Sequence, residues 1–255
     1  MIRRVRRKPR VEGGSSGLVV ATYNVHSCVG VDRRYDPDRT AAVLCELGAD
    51  IIGLQEIDPR PRRDGQLDQR AHFAAATGLT AVPGGDRERA RGRFGNVLLT
   101  RFPVRAVRHI DLSVATYEPR GAIDAELLVE GRWLRVVVTH LGLRAGERRQ
   151  QIERLLDALA AVPSTAEATL IIGDLNEWRG RGGGLSMLDR RIGRAPARPT
   201  FPAWLPVLPL DRIYAGGAAS LRAVSVHRSR LARVASDHLP LRAAVAFPRP
   251  AVSRR

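Results

Sequence analysis

One short stretch, residues 169–178, constrains the fold of this chain more than any other. It reads TLIIGDLNEW, an apolar run that stops at a glycine and is followed by two polar residues, Asp174 and Asn176. A run this short predicts a buried strand. If the extended geometry continues through Leu175, the two polar side chains project to the same side, because strand side chains alternate. Such a pair can hold a phosphoryl group and its attacking water, although Asp and Asn after a strand also commonly close a turn.

Length and composition indicate a globular protein with a sizeable core. The chain has 255 residues, of which 44% are hydrophobic. We find no apolar run of the roughly 18–20 residues that span a bilayer, and the basic N-terminus lacks the apolar segment of a secretory signal. The two cysteines, Cys28 and Cys45, make neither a disulfide framework nor a zinc cluster, although they allow one disulfide. We therefore expect a cytoplasmic protein without a transmembrane segment.

The charge of the chain favours polyanionic partners. Lys and Arg number 42 against 26 Asp and Glu, a formal net charge of +16. Nucleic acid and an anionic lipid surface are the partners that such a balance attracts, so peripheral membrane contact is one alternative to nucleic-acid binding. The arginines are spread along the chain, which equally fits a solvated surface. The charge thus predicts an anionic substrate and says little about its class.

The hydrophobic pattern predicts one domain over residues 18–248. Residues 1–17 are arginine-rich and then rich in Gly and Ser, which predicts a disordered basic tail, with a nucleic-acid-binding arm as the alternative. Residues 249–255 are assigned to a C-terminal tail. We find no internal repeat and no linker long enough to divide the region between the tails.

The first elements predict two neighbouring strands covered by a helix. Residues 18–25 form a strand rich in β-formers. Asp36 then supplies an N-cap, Pro37 occupies the first turn, and the helix ends at Gly48. Residues 50–56 form the next strand, which gives a strand, helix, strand unit.

The remaining pattern alternates strands, helices and polar loops. Strands are expected at 97–100, 104–112, 121–129, 133–139, 211–214, 218–226 and 239–246, and helices at 71–77, at 149–161 and over a short stretch ending near residue 192. Three loops, 60–69, 84–93 and 179–204, are expected to select the substrate. They lack the aromatic platform that favours base stacking on single strands.

Polar residues suited to phosphate chemistry recur where the predicted strands end. They are Asn24, Glu56, His140, Asp174, Asn176, Asp211, Asp237 and His238. Each alone has a structural explanation, such as a solvated strand end, an edge histidine or a plain turn. Their joint occurrence predicts a site, because open sheets gather ligands beside strand ends.

These residue types suit hydrolysis of a phosphodiester assisted by a metal ion. A hard divalent cation prefers oxygen ligands, which Glu56 with Asn24 or an aspartate can provide. A histidine held by a carboxylate can act as a base, and the anionic charge of the phosphate must be offset. The sequence has no Walker loop, no zinc motif and no nucleophile elbow.

The motifs that contain these residues resemble the endonuclease/exonuclease/phosphatase superfamily, which includes deoxyribonucleases, abasic-site endonucleases, inositol polyphosphate 5-phosphatases and neutral sphingomyelinases. They are TYNV at 22–25, LQE at 54–56, THL at 139–141, GDLN at 173–176, LDRIY at 210–214 and SDHLP at 236–240. The resemblance spans nearly the whole chain. It implies an α/β (α+β) fold, a four-layered αββα sandwich with the site at one rim of the two sheets.

The resemblance also implies a divalent cofactor, Mg²⁺ or Mn²⁺. Glu56 would be the main metal ligand, and Asn24 would lie close to the metal. Asp237 would either join the metal shell or orient His238.

The same resemblance implies roles for the other residues around the phosphate. His238 would be the general base or would stabilise the transition state, and Asp174 would position or deprotonate the attacking water. His140 and Asn176 would hydrogen-bond the scissile phosphate. Asp211 matches an acidic position that supports a histidine or the leaving group.

Three further residues match the family less closely. Glu118 resembles the carboxylate that partners the first histidine in the deoxyribonucleases, and Arg120 is then expected to contact phosphate. Asn96 is expected either at the rim of the site or in a structural turn.

The leading hypothesis is a metal-dependent phosphodiesterase, with a nuclease acting on DNA or RNA first because of the basic charge. A phospholipid or sphingolipid-type phosphodiesterase is the first alternative, followed by a phosphomonoesterase. A catalytically silent nucleic-acid-binding module is the alternative from another class. We expect a monomer without an obligate protein partner.

Overall fold

The computed structural model describes residues 17–58, 68–85, 95–179 and 183–247. The predicted C-terminal tail and all but the last residue of the N-terminal tail lie outside these ranges. So do most of the loops predicted at 60–69 and 84–93.

Eleven strands occur in the described residues: β1 (Leu18–Asn24), β2 (Ile51–Ile57), β3 (Thr80–Pro83), β4 (Gly95–Thr100), β5 (Val104–Asp111), β6 (Gly121–Val129), β7 (Arg132–His140), β8 (Ala168–Asp174), β9 (Asp211–Gly217), β10 (Ser220–Val226) and β11 (Leu241–Ala246). The helices of the same residues are α1 (Pro37–Leu47), α2 (Gln69–Thr77), α3 (Ala145–Ala161), α4 (Leu185–Arg191) and α5 (Ala232–Ala235), with a 3₁₀ turn at His26–Cys28.

The strands form two mixed sheets. The first has the order β10-β11-β1-β2-β4-β3 and the second has the order β5-β6-β7-β8-β9. Each sheet contains one parallel pair near its centre, β1 with β2 and β7 with β8. Their other neighbours run antiparallel. The predicted strand, helix, strand unit at residues 18–56 is therefore present.

The two sheets pack face to face, and helices cover their outer faces. Buried side chains such as Val20 and Leu98 of the first sheet meet Val136 and Ile172 of the second. At Gly53 the sheets come so close that a Cβ would lie 2.8 Å from Ile172 Cδ1. Helices α1 and α2 pack on the first sheet, and α3 and α4 pack on the second. This arrangement confirms the four-layered αββα sandwich.

The capping residues explain why the bounds of α1 were predicted correctly and why the start of α3 was not. The Asp36 carboxylate accepts a hydrogen bond of 2.8 Å from Arg39 N, and Gly48 ends α1 at φ +54°, as expected. Helix α3 instead begins at Ala145, four residues before its predicted start. There the Glu147 side chain accepts a hydrogen bond from the backbone N–H of Arg144. The N-cap is not a Ser, Thr, Asp or Asn, so the sequence pattern does not indicate this helix start.

Three short elements were not predicted at all, namely β3, α5 and the 3₁₀ turn. Each is at most four residues long, too short for a hydrophobic period to show. Within the described ranges, no helix combines the length and the apolar character needed to cross a bilayer.

Candidate active site

The two central parallel pairs end at the same rim of the sandwich, and their last residues carry the polar side chains. Asn24 ends β1 and Glu56 lies one residue before the end of β2. His140 ends β7 and is in register with Asp174, the last residue of β8. Asp211 begins β9 directly opposite Asp174, because β9 runs antiparallel to β8. Strand pairing within each sheet and the packing of the two sheets thus collect five of the predicted residues.

A turn, not a continued strand, brings Asn176 into the site. Strand β8 ends at Asp174, whose Oδ1 accepts a hydrogen bond of 2.9 Å from Asn176 N. Asn176 has the left-handed φ of +51°, which is uncommon for a residue other than glycine and recurs at functional sites. The condition that extended geometry continues through Leu175 is therefore not met. The turn that was its alternative places both polar side chains at the site.

Gly173 allows the close approach of β8 to β7 at this point. A Cβ on Gly173 would overlap the carbonyl oxygen of Thr139. Beyond it, Leu141 N donates to the carbonyl of Asp174 at 3.0 Å, so the two chains remain joined past the strand ends. The glycine of the GDLN motif is thus a packing requirement.

His238 lies between two carboxylates. Its Nδ1 donates to Asp211 Oδ2 at 2.9 Å, and its Nε2 is 3.6 Å from Asp174 Oδ2. Burial alone would lower the pKa of His238, but the Asp211 and Asp174 carboxylates outweigh it and raise the pKa to about 10. Thr200 Oγ1 donates to the same Asp211 oxygen at 2.6 Å, and the Phe201 ring packs 5.0 Å from the imidazole. His238 is therefore held as a cation in a fixed orientation.

Asp211, and not Asp237, orients His238 in this arrangement. Asp237 is half-buried, and its Oδ1 lies 3.3 Å from Ser236 Oγ and 3.7 Å from His26 Nδ1. The Ser236 hydroxyl also donates to the carbonyl of Asn24 at 2.8 Å, which places Asp237 beside the end of β1. Of the two alternatives expected for Asp237, the role of orienting His238 is taken by Asp211 in this geometry, and membership in a metal shell stays a prediction.

His140 has the opposite protonation state to His238. Its Nδ1 accepts from Arg120 Nη1 at 3.2 Å, and its Nε2 lies 3.1 Å from Asn176 Nδ2. Burial lowers the pKa of His140 well below its usual value, and the charges of Arg120 and His238 lower it further. Two histidines of one site, one neutral and one charged, are typical of a divided acid and base assignment.

Arg120 stands where Glu118 was expected. The resemblance implied that Glu118 partners the first histidine, but the guanidinium of Arg120 lies against His140, and Glu118 Oε2 pairs with Arg120 Nη2 at 3.0 Å. Arg120 therefore lies between the Glu118 carboxylate and the His140 imidazole. Asn96 is buried and donates to the carbonyl of Gly121 at 3.0 Å, a structural contact between the two sheets that lies next to Arg120.

Asn24 connects the carboxylates on the two sheets. Its Nδ2 lies 2.9 Å from Glu56 Oε1 and 3.0 Å from Asp174 Oδ2, while its Oδ1 accepts from His26 N at 3.0 Å. Glu56 has a left-handed φ of +56° at a register shift between β2 and β4. Such a bulge redirects a side chain at a strand end, and here it directs Glu56 towards Asn24.

Two groups of side chains could hold a cation. One atom each from Asp174, Asp211 and His238 lie within 4.8 Å of one another. The raised pKa of the His238 imidazole disfavours this group as a cation site, since a ligating histidine must be neutral. Glu56 offers carboxylate oxygens of the kind that Mg²⁺ and Mn²⁺ prefer, whereas Asn24 turns its Nδ2 toward Glu56 and its Oδ1 toward His26 N. The donor chemistry of Glu56 fits the expected cofactor better than that of the first group.

Sequence reasoning missed the residues that support the site from behind. Arg148 of α3 is buried, and its Nη2 donates to Glu177 Oε2 at 2.9 Å while its Nη1 donates to the carbonyl of Leu143 at 2.6 Å. Thr200 and Phe201, which contact Asp211 and His238, were missed as well. The sequence offers no signal for them, because they lie outside the motifs, in a helix and in a loop.

Comparisons with known proteins agree with this architecture. The model of the Endonuclease/Exonuclease/phosphatase family matches residues 21–238. The protein named Uncharacterized protein YbhP of Escherichia coli K12 is 30% identical over 243 residues, covering 89% of this chain and 95% of that protein.

Two solved structures of low identity share the fold. Mannosyl-6-phosphatase Bt3783 of Bacteroides thetaiotaomicron is similar at a TM-score of 0.73 and 16% identity, over 90% of this chain and 100% of that one. TDP2 of D. rerio, complexed with single strand DNA product, is similar at 0.67 and 18% identity, over 90% and 99%. The match to the family model covers most of the chain and includes the residues at the rim. The chain belongs to the endonuclease/exonuclease/phosphatase family, whose members are phosphoester hydrolases.

Proposed function

We propose that this chain is a divalent-metal-dependent phosphodiesterase that hydrolyses its substrate by direct attack of water. The observation that carries the proposal is the placement of two histidines around Asp174. His238 Nδ1 contacts the Asp211 carboxylate and His140 Nδ1 contacts the Arg120 guanidinium, and the pKa values of the two rings move in opposite directions. A phosphodiester needs its charge offset, its water deprotonated and its leaving oxygen stabilised. The site contains a group for each task.

Asp174 is the best candidate for the base that activates water. It is buried, and this burial raises the pKa of its carboxyl above the usual range, which makes it a stronger base than an exposed aspartate. Asn24 Nδ2 and Asn176 N hold its two oxygens in place. A water between Asp174 and the phosphorus atom would then transfer its proton to the free lone pair of that carboxylate.

His238 is assigned to stabilising the transition state. Its raised pKa keeps the imidazolium charged at neutral pH, so of the two expected roles that of general base is disfavoured. Asp211 fixes the direction of the ring, and the Arg120 guanidinium adds a second positive charge beside neutral His140. We assign these groups to offsetting charge on the non-bridging and leaving oxygens.

Glu56 and Asn24 are proposed to hold the cation, with Asp237 as a further carboxylate. A bound Mg²⁺ or Mn²⁺ would supply Lewis-acid stabilisation of the phosphoryl oxygens. Glu56 keeps its carboxylate at the rim, and the contact between Ser236 Oγ and the carbonyl of Asn24 keeps Asp237 near the same strand end.

Nucleic acid is the first proposed substrate class. The net charge of +16 favours a polyanion, and the similar TDP2 structure contains a single-strand DNA product. A nuclease of this kind should bind DNA with a steep dependence on salt concentration.

A lipid phosphodiester is the second candidate, because an exposed apolar loop borders the site. Trp204, Leu205 and Val207 are 68%, 55% and 58% exposed. They lie in the loop between Phe201 and Leu208, which are bridged to each other, and Phe201 packs against His238. Apolar side chains beside a phosphate site suit an interface with lipid.

Nicking of supercoiled plasmid and hydrolysis of phospholipid in mixed vesicles separate the two classes. Wild type should nick plasmid in Mg²⁺ or Mn²⁺, and His238→Ala should not. Asp157→Ala, which changes an exposed carboxylate on α3, is the matched control and should match wild type. Turnover of vesicles without nicking would move the substrate to the lipid class. Equal nicking by wild type and His238→Ala would refute the assigned site.

A further inference from the structure

A cleft of about 430 Å³ opens between the two sheets beside the candidate active site. Gly84, Gly85 and Asn96 line it from the first sheet, at the ends of β3 and β4. His109 and Asp111 line it from β5 on the second sheet. The volume is in the range of cavities that bind small organic groups. The cleft is separate from the residues around His238.

Arg120 belongs to both the cleft and the phosphate site. It lines the cleft, and its Nη1 contacts His140 at 3.2 Å. Arg120 is therefore the residue past which an ester group of a phosphate held at His140 and Asn176 would reach the cleft. The open space on that side is the cleft.

Two buried polar atoms in the wall of the cleft have no hydrogen-bond partner among the described residues. They are Asn96 Oδ1, an acceptor, and Arg120 Nε, a donor. Buried polar atoms of native proteins are nearly always paired, so an unpaired acceptor and donor in one cavity wall indicate a missing partner. Small shifts of these two side chains would let a ligand supply both.

The lining favours a neutral ligand that carries hydrogen-bond donors. The Arg120 guanidinium and the Asp111 carboxylate have opposite charges, which disfavours a second phosphate or a simple cation. His109 uses Nε2 to contact the carbonyl of Pro83 at 3.0 Å, and donation to that carbonyl makes Nδ1 an acceptor. Together with Asn96 Oδ1, it would accept from hydroxyl or N–H groups.

We propose that this cleft binds the neutral, hydroxyl-bearing ring that is esterified to the scissile phosphate, a sugar or a nucleoside. The proposal rests on the proposed function, since it assigns one ester group of the same substrate. Gly85 sets the width of the cleft, because a Cβ there would lie 3.1 Å from His109 Cβ. A side chain at this position would fill the space that the ring needs.

The test compares three chromogenic diesters that share p-nitrophenol as leaving group. They are methyl p-nitrophenyl phosphate, thymidine 5′-(p-nitrophenyl phosphate) and the p-nitrophenyl diester of glucose 6-phosphate. Wild type should prefer one of the two ring-bearing esters, and which one it prefers distinguishes a nucleoside from a sugar. His109→Ala should lower kcat/KM for that ester about three- to tenfold, the effect of one lost hydrogen bond, and should leave the methyl ester unchanged.

A blocking variant and its control complete the design. Gly85→Leu should remove the preference for the ring-bearing ester, while Gly146→Leu, at an exposed glycine with nothing within 4 Å of its Cβ, should keep it. A loss with Gly85→Leu that is equal for all three esters, or no loss at all, would overturn the proposal.

Binding measured without turnover tests the cleft independently of the proposed phosphodiesterase function. Thymidine 5′-phosphate and glucose 6-phosphate can be titrated calorimetrically into wild type and Gly85→Leu. Binding of one of them that Gly85→Leu weakens, without hydrolysis of any diester, would support the cleft and refute the proposed function. Hydrolysis of the diesters with no difference in binding between wild type and Gly85→Leu would refute the cleft alone.

Discussion

The buried ion pair between Arg148 and Glu177 joins the two loops that carry the site. Its side chains are 2% and 3% exposed, and Nη2 and Oε2 are 2.9 Å apart. Arg148 also donates to the carbonyls of Gly142 and Leu143, which follow His140 in the chain. Glu177 directly follows Asn176. The pair therefore fixes the position of one loop relative to the other.

Arg148→Met should destabilise the fold by about 3–5 kcal/mol, because it leaves the Glu177 carboxylate buried without a counter-charge. The double variant Arg148→Met/Glu177→Leu should recover most of this loss, since replacing a buried pair by apolar groups is often neutral or stabilising. Arg149→Met is the matched control. Its guanidinium is 71% exposed and pairs with Glu153 on the same helix, a surface contact worth about 0.3–0.5 kcal/mol.

Urea denaturation measures the free energy of unfolding of wild type and of these three variants. A cost below about 1 kcal/mol for Arg148→Met, or a double variant less stable than Arg148→Met, would refute the reasoning. At a temperature where the double variant is fully folded, we expect its phosphodiester hydrolysis to stay below wild type, because the apolar pair does not hold the Leu143 carbonyl.

Three further outcomes follow from the site. Gly173→Ala should destabilise by more than about 3 kcal/mol, since its Cβ would overlap the Thr139 carbonyl and force β7 and β8 apart; wild-type thermal stability would contradict this. The pKa of His140 is depressed in the folded protein, so its ring stays neutral there while the same ring in the unfolded chain takes up a proton. Its contribution to the free energy of unfolding is therefore complete above about pH 6.5. As the pH falls, this contribution is lost by up to about 1.4 kcal/mol per pH unit. Urea midpoints between pH 7.5 and 5 should thus fall more steeply for wild type than for His140→Asn, and parallel curves would count against a buried neutral ring. Asp211→Asn should lower the pKa of His238, so the midpoint of the NMR titration of that ring should move to lower pH. An unchanged midpoint would show that Asp211 does not hold the ring.

Strand ends were predictable from sequence because each ends an apolar run at a polar residue. Asn24, Glu56, His140 and Asp174 were placed correctly for this reason. The sandwich itself came from the resemblance of the ordered motifs. Local pattern alone could not decide which strands pair across the sheets.

The contacts between the motifs were not predictable in the same way. The choice of Asp211 over Asp237 as the partner of His238 depends on the register of β9 against β8. The position of Arg120 in front of Glu118 depends on how the segment before β6 packs against β7. Arg148 lay outside the predicted helix at 149–161, and its burial depends on the Glu177 side chain from another loop.

The most direct test of the central claim is hydrolysis of bis(p-nitrophenyl) phosphate, measured against Mg²⁺ and Mn²⁺ concentration. Wild type, Glu56→Gln, His238→Ala and the control Asp157→Ala are compared after removal of metal by a chelator. The account predicts turnover by wild type and Asp157→Ala only when metal is restored, with losses of roughly 10²-fold or more in the other two variants. Turnover that persists without metal, or that is unchanged in both Glu56→Gln and His238→Ala, would contradict the account.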